Sequence, residues 1–259
     1  MNDIIELQLW QMAAAYVFVV ILIVIVKIKG IKRETEILLA TIRMTLQLII
    51  VAYLLSYMFD INNPWFTVVF LISMLIFSVH NVFKRVKTEL LYHTKIVVAV
   101  SLVSGTLLSI LYFNFVVIQF SPWYDPRYFI PIAGMIIGNS MTGISLGVAR
   151  LTDGFYEQRA VVESSLMLGA TPKEASKTIV NSAFDAAILP TINSMVGMGI
   201  VFLPGMMTGQ ILSGISPIVA VEYQIAIMLG IVGSVALSVI MFVQLGYKTF
   251  FNSRNQLKI

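Results

Sequence analysis

Few residues in this chain could do chemistry, and most of them sit in one stretch. There is no cysteine, and His80 and His93 are the only histidines, so thiol catalysis, disulfides and a Cys/His metal cage within one chain are excluded. No glycine is followed by lysine, so the phosphate-cradling loop G-x-x-x-x-G-K-[ST] is absent. What remains is a polar stretch from Glu163 to Pro190, ESSLMLGATPKEASKTIVNSAFDAAILP. Gly169 suits the C′ position after a helix, where the backbone turns left-handed. Thr171-Pro172-Lys173-Glu174 has the form of a capping box with proline at N1. Two short helices meeting at a specified turn are therefore expected, a layout suited to transmitting force.

The other candidates are single polar groups inside apolar sequence. Arg43 and Gln47 share a helix face at i, i+4. An arginine at the centre of a membrane span costs about 2.5 to 3.5 kcal/mol, so a buried one has a partner or a purpose. Yet Arg43 comes early in its span, about 9 Å deep, and its side chain could also snorkel to the surface. Gly134 and Gly138, then Gly143 and Gly147, repeat the small-x-x-x-small spacing that lets helices approach closely, and Asn139 sits among them as a packing or pathway-lining group. Glu222 precedes Tyr223 and Gln224 at a helix start, and Gln210 lies in the broken stretch before it. Arg43, Gln47, Asn139, Gln210 and Glu222 are thus the candidate translocation-pathway residues. Met195, Met198, Met206 and Met207 would suit a soft ion, but in so apolar a chain methionine is first of all packing material. The remaining outer carboxylates, Asp3, Glu6, Asp60 and Asp125, are scattered, so no metal site is defined.

The elements that must position these groups are membrane helices. Of 259 residues 58% are hydrophobic and 12% charged, against roughly 25% charged in soluble domains, and the mean hydropathy is +0.91. The fold class is an all-α integral membrane protein in a lipid bilayer, a single transmembrane domain over 1–259. Apolar runs near the ~20 residues needed to span give seven spans: Leu9 to Val26, Ile37 to Met58, Trp65 to Val79, Ile96 to Ile118, Phe129 to Val148, Ala186 to Leu203 and Tyr223 to Tyr247. The first is no signal peptide, because Asp3 and Glu6 stand where a basic region belongs. Between the last two spans, Pro204, Gly205, Gly209, Gly214 and Pro217 interrupt any continuous helix. That segment reads either as re-entrant or as an external loop.

Charge placement orients the bundle. Of the 17 Lys and Arg, all but Arg43 and Arg127 fall on the first, third and fifth loops or the C-terminus. The groups are Lys27, Lys29, Lys32 and Arg33; Lys84, Arg85, Lys87 and Lys95; Arg150, Arg159, Lys173 and Lys177; and Lys248, Arg254 and Lys258. The positive-inside rule then puts the N-terminus outside and the C-terminus in the cytoplasm, with the long 152–185 connection on the cytoplasmic side. A pI of about 9.2 is accounted for by topology, not by nucleic acid.

The 163–175 stretch resembles the EAA loop of ABC transporter permeases. Glu163 and Gly169 match its pattern, Ser164 and Ser165 replace two alanines, and the expected Leu-Pro is displaced to Leu189-Pro190. Over nearly the whole chain, the strings Ile42 to Leu48, Gly134 to Met141, Leu168 to Pro172 and Leu203 to Gln210 resemble the FetB (YbbM) family of permeases, whose plant relatives are aluminium-tolerance half-transporters. The resemblance implies a plasma-membrane subunit, dimeric, exporting iron and working with a separate FetA-type ATP-binding subunit. ATP would be used by that partner, and this chain would bind no cofactor and be no enzyme. Glu163, Gly169, Ala170, Thr171, Pro172 and Glu174 would then be its ATPase-coupling residues. A gradient-driven channel or secondary transporter, or a membrane scaffold, stands as the alternative.

Overall fold

A computed structural model describes residues 8–61, 63–86 and 90–258. Asp3, Glu6 and Lys87 lie outside the described residues. Among these the chain is all-helical apart from two isolated β-bridges, Met198 with Phe202 and Phe251 with Leu257. Contacts group it into two units, Met1–Asn62 with Leu212–Gly214, and Asn63–Ile211 with Ile215–Ile259.

The first unit is built from α1 (Leu9–Ala15), α2 (Val17–Ile28) and α3 (Glu34–Ile61). Helices α1 and α2 meet at Tyr16, whose hydroxyl shares a 2.7 Å hydrogen bond with that of Thr45 on α3. Glu34 and Glu36 occupy the first turn of α3, where carboxylates complement the helix dipole, and Arg33 pairs with Glu36 at 2.9 Å. At 28 residues, about 42 Å long, α3 has no single apolar stripe, its many apolar residues being spread around the helix. Such a helix is stable where its solvent is lipid.

The second unit holds α4 (Pro64–Arg85), α5 (Tyr92–Tyr112), α6 (Pro126–Glu157), α7 (Arg159–Met167), α8 (Pro172–Ala175), α9 (Lys177–Gly197), α10 (Gly205–Leu212) and α11 (Pro217–Gly246). A π-helical stretch, Phe113–Ile118, extends α5, and a 3-10 turn, Tyr247–Phe250, extends α11. Caps set the starts of α4 and α6. Asn63 accepts from the Trp65 N–H and Asp125 from the Arg127 N–H, both at 3.0 Å, with proline at the first helical position each time. Helices α6 and α11 carry most of the buried residues and pack on each other and on α5 and α9.

Among the described residues six helical stretches are long and apolar enough to cross a membrane: Leu9–Ile28, Glu34–Ile61, Pro64–Arg85, Tyr92–Ile118, Pro126–Glu157 and Pro217–Phe250. Where a sixth span over 186–203 is expected, α9 runs from Lys177 to Gly197 and the chain turns at Met198. The helix starts earlier because Ile179, Ala183 and Ala187, at i, i+4 spacing, bury one face despite the polar Asn181, Ser182 and Asp185 between them. The broken stretch after it resolves into the short α10 and a turn, and α11 starts at Pro217, ahead of the expected 223.

Close helix approach explains part of the glycine pattern. A Cβ at Gly143 would lie 2.9 Å from Val235 Cγ1 and 3.2 Å from the Ala187 carbonyl oxygen, and one at Gly147 would meet Ala187 Cβ at 3.3 Å. These two let α6 approach α9 and α11. Gly134 faces only the end of Met74, and Gly138 has nothing within 4 Å.

Candidate functional site

The connection from α6 to α9 is a bent arm made of α7, a tight turn and α8. Helix α7 ends in a Schellman motif: the Gly169 N–H donates to Leu166 O and the Ala170 N–H to Ser165 O, each at 3.0 Å. Gly169 sits at φ +94°, a conformation glycine adopts without penalty. Two residues on, the Thr171 hydroxyl accepts from the Glu174 N–H at 3.3 Å, and the Glu174 carboxylate accepts from the Thr171 N–H at 2.8 Å. Pro172 occupies N1. One turn thus ends a helix and starts the next with its backbone groups satisfied, which defines the angle between α7 and α8.

The same bonds set the charge of Glu174. Its carboxyl is held below the usual carboxylate range by the hydrogen bond from the Thr171 backbone N–H and then by that from the Thr171 hydroxyl, at 2.8 Å. A group whose pKa is depressed by folding adds stability above its unfolded pKa and loses it as pH falls through the folded one. Protonation of Glu174 in acid is therefore expected to weaken the cap that its carboxylate holds at neutral pH. We expect hydrogen-exchange protection of the Thr171 and Glu174 amides, normalised to intrinsic rates, to fall on acidification in the parent and to be flat in Glu174→Gln. An equal acid response in both proteins would refute the assignment.

Val162 is buried and anchors α7 on the core, while the rest of the helix is largely solvent-facing. Glu163 pairs with Arg159 at 2.9 Å, i, i+4 on α7, a surface pair of about 0 to 1 kcal/mol. Met167 and Leu168 are 85% and 90% exposed at the tip, and Val161, seven residues before Leu168 on the same face, is exposed too. The sequence reading singled out Gly169 and Ala170 and missed these apolar side chains. Their signal was two apolar residues following Leu166, which packs inward against the core.

Packing shows which other segments share the arm's end of the unit. Phe155, at the base of the arm, stacks on Phe250 with centroids 4.3 Å apart. The Thr94 hydroxyl meets that of Thr249 at 2.7 Å, and Arg150 Nε donates to Ser182 Oγ at 2.9 Å. Lys95, Arg150, Lys177 and Lys248, neighbours of these contacts in sequence, are thereby gathered at that end. At the other end Thr67 donates to Tyr124 O at 2.9 Å and Asn114 to Trp123 O at 3.0 Å.

The candidate pathway residues fall on several elements, each within its own unit. Arg43 and Gln47 lie exposed on α3 of the first unit. Asn139 turns its amide back to Met135 O at 2.8 Å on its own helix. Gln210 is half-buried on α10. Glu222 borders an apolar cleft of about 930 Å³ between α5 and α11, floored by Gly230 and Gly233. Its neighbour Gln224, which the sequence reading did not single out, is 5% exposed, with Nε2 3.8 Å from Met198 Sδ and Oε1 without a hydrogen-bond partner among the described residues. Met198 and Met206 pack against the core. Among the described residues no three of His, Cys, Asp or Glu gather in a way that could hold a metal ion.

Comparison with known proteins places this architecture. The profile of an uncharacterised protein family, UPF0014, matches residues 9–251. The UPF0014 membrane protein slr1647 of Synechocystis is 36% identical over 233 residues, 89% of either chain. The probable iron export permease protein FetB of Escherichia coli is 34% identical over 249 residues, 96% of this chain and 94% of its own. Protein ALUMINUM SENSITIVE 3 of Arabidopsis thaliana is 32% identical over 246 residues, 95% of this chain and 88% of its own. No solved structure matches.

Proposed function

The chain belongs to the UPF0014 family of membrane proteins, and on that premise we propose that it is the permease subunit of an ABC transporter. A separate FetA-type ATPase docks on the 163–174 turn from the cytoplasm, two permease copies form the translocation unit, and the cargo is iron or another metal ion moving outward. The relative named as an iron export permease supports the cargo. The observation that carries the coupling role is the doubly capped turn with Met167 and Leu168 exposed at its tip.

The geometry suits transmission of a push. The angle at Gly169–Thr171 is set by backbone bonds on both sides, so force on the tip moves α8 instead of being absorbed in a slack loop. Helix α8 leads through the buried Ser176 directly into α9. Helix α9 packs on α6 across Gly143, Gly147 and Gly154. There the absence of side chains leaves shallow surfaces on which the two helices can shift relative to each other. A displacement at the tip therefore reaches the bundle through one rigid element.

The test is capture of the purified FetA-type ATPase from the same genome by the permease in detergent or nanodiscs. The parent should bind it. Leu168→Asp, which places a charge at the most exposed apolar position of the tip, should weaken binding about tenfold, in the range expected of an interface anchor. A permease that ignores the ATPase yet moves ions down a gradient would establish the channel or secondary-transporter reading instead.

A further inference from the structure

The last residues of the chain, absent from every functional assignment above, build a second wall beside the coupling turn. After Phe250 the chain folds into a tight hairpin held by one asparagine. Asn252 Oδ1 accepts from the Arg254 and Gln256 N–H groups, each at 2.9 Å, and its side-chain amide donates to Gln256 Oε1 at 2.9 Å. Asn255 supplies the left-handed residue of the turn, at φ +58°. Phe251 bridges to Leu257, and the Lys258 N–H donates to Phe250 O at 2.7 Å.

The hairpin is bolted to the base of the arm. Phe155 is fully buried, stacked on Phe250 at 4.3 Å and met edge-on by Phe251 at 5.8 Å. Leu257 packs against the same core. Between arm and hairpin lies an open cleft of about 540 Å³, with Glu163, Met167 and Gly169 on one side and Arg254, Gln256 and Leu257 on the other. The charges in it differ in availability. Glu163 is engaged by Arg159. Arg254 is exposed, and no carboxylate among the described residues lies within ion-pairing distance of it.

We propose that the C-terminal hairpin and the coupling turn form a two-walled socket for the ATPase subunit. An apolar side chain of the partner enters between Met167 and Leu257 while a partner carboxylate pairs with Arg254. The inference rests on the permease–ATPase reading and adds to it a second docking element with a stated charge. The socket is continuous with the exposed tip at Met167 and Leu168, so a partner covering the tip also covers the cleft. A hairpin anchored on Phe155 lets that partner grip both ends of the arm.

The experiment measures affinity of the full-length permease in nanodiscs for the purified FetA-type ATPase, with Arg254→Glu, Leu257→Asp and Leu168→Asp compared with the parent. Arg254→Glu should weaken binding about tenfold and steepen its loss, a charge reversal at a desolvated contact. A compensating acidic-to-lysine change in the ATPase should restore it. Arg254 is solvent-exposed, so its variant folds, and an unchanged melting temperature checks this independently of Leu257→Asp. If Leu168→Asp weakens binding and Arg254→Glu leaves it unchanged, the socket is wrong and the coupling turn stands. If Arg254→Glu alters only the monomer–dimer equilibrium, the cleft belongs to a second copy of the chain and the socket is again overturned. If the parent never binds the ATPase, both readings fall.

Discussion

A Gly169→Val variant should insert and melt like the parent yet lose ATP-driven transport. The reason is confined to the backbone. Gly169 sits at φ +94° with open space within 4 Å of a would-be Cβ, so the substitution clashes with nothing. A β-branched residue in that region nevertheless costs about 1 to 3 kcal/mol. The cheapest relief is to leave the left-handed conformation, which breaks the bonds to Leu166 O and Ser165 O and swings α7 away from its angle to α8. The core contacts of α6, α9 and α11 lie elsewhere and are untouched. ATPase stimulation and transport in proteoliposomes should both fall about tenfold or more, since each 1.4 kcal/mol of lost coupling is a factor of ten. Gly169→Asn, which tolerates the left-handed region, should retain most activity. Full stimulation by Gly169→Val would mean that the turn angle transmits nothing.

A Gly143→Leu variant should fail for the opposite reason, by preventing assembly of the helices themselves. A Cβ there already lies 2.9 Å from Val235 Cγ1 and 3.2 Å from a backbone oxygen of α9, and the longer side chain has nowhere to go. Overpacking of a tight core costs about 1 to 3 kcal/mol, and a rigid backbone oxygen at the contact puts this site at the upper end. Gly138→Ala is the matched control. It meets nothing within 4 Å and removes a poor helix former, so it should be neutral or stabilising by up to about 1 kcal/mol. Thermal melting of the two variants in one detergent, followed by intrinsic fluorescence, reads the difference. Equal melting of Gly143→Leu and Gly138→Ala would show that α6 and α9 do not approach as closely as the structure has them.

The pair of glycines also shows where sequence pattern stops being informative. Gly134 and Gly138, then Gly143 and Gly147, each stand four apart, but the five-residue step between the pairs puts them on opposite faces of α6; only Gly143 and Gly147 hold two helices together, because the spacing says which residues share a stripe and not what lies against it. The same limit applies to α9. Its N-terminal half is too polar to read as a span, but it is buried by α6 along Ile179, Ala183 and Ala187.

The turn at 169–174 was legible because its signals are local: glycine after an apolar helix, then Thr-Pro-x-Glu, each satisfying backbone groups within a few residues. The apolar segments were legible for a similar reason, since the length needed to cross the hydrocarbon is set by the bilayer and not by neighbours. Whether Met167 and Leu168 are covered or bare, whether Asn139 and Glu222 share a cavity, and where the hairpin after Phe250 comes to rest all depend on contacts between residues far apart in the chain. The Phe155 to Phe250 stack spans almost a hundred residues, and no spacing rule connects them. From its own residues this chain is a membrane protein with a rigid polar elbow; only the packing of α6, α9 and α11 decides that the elbow stands exposed, with a second wall beside it.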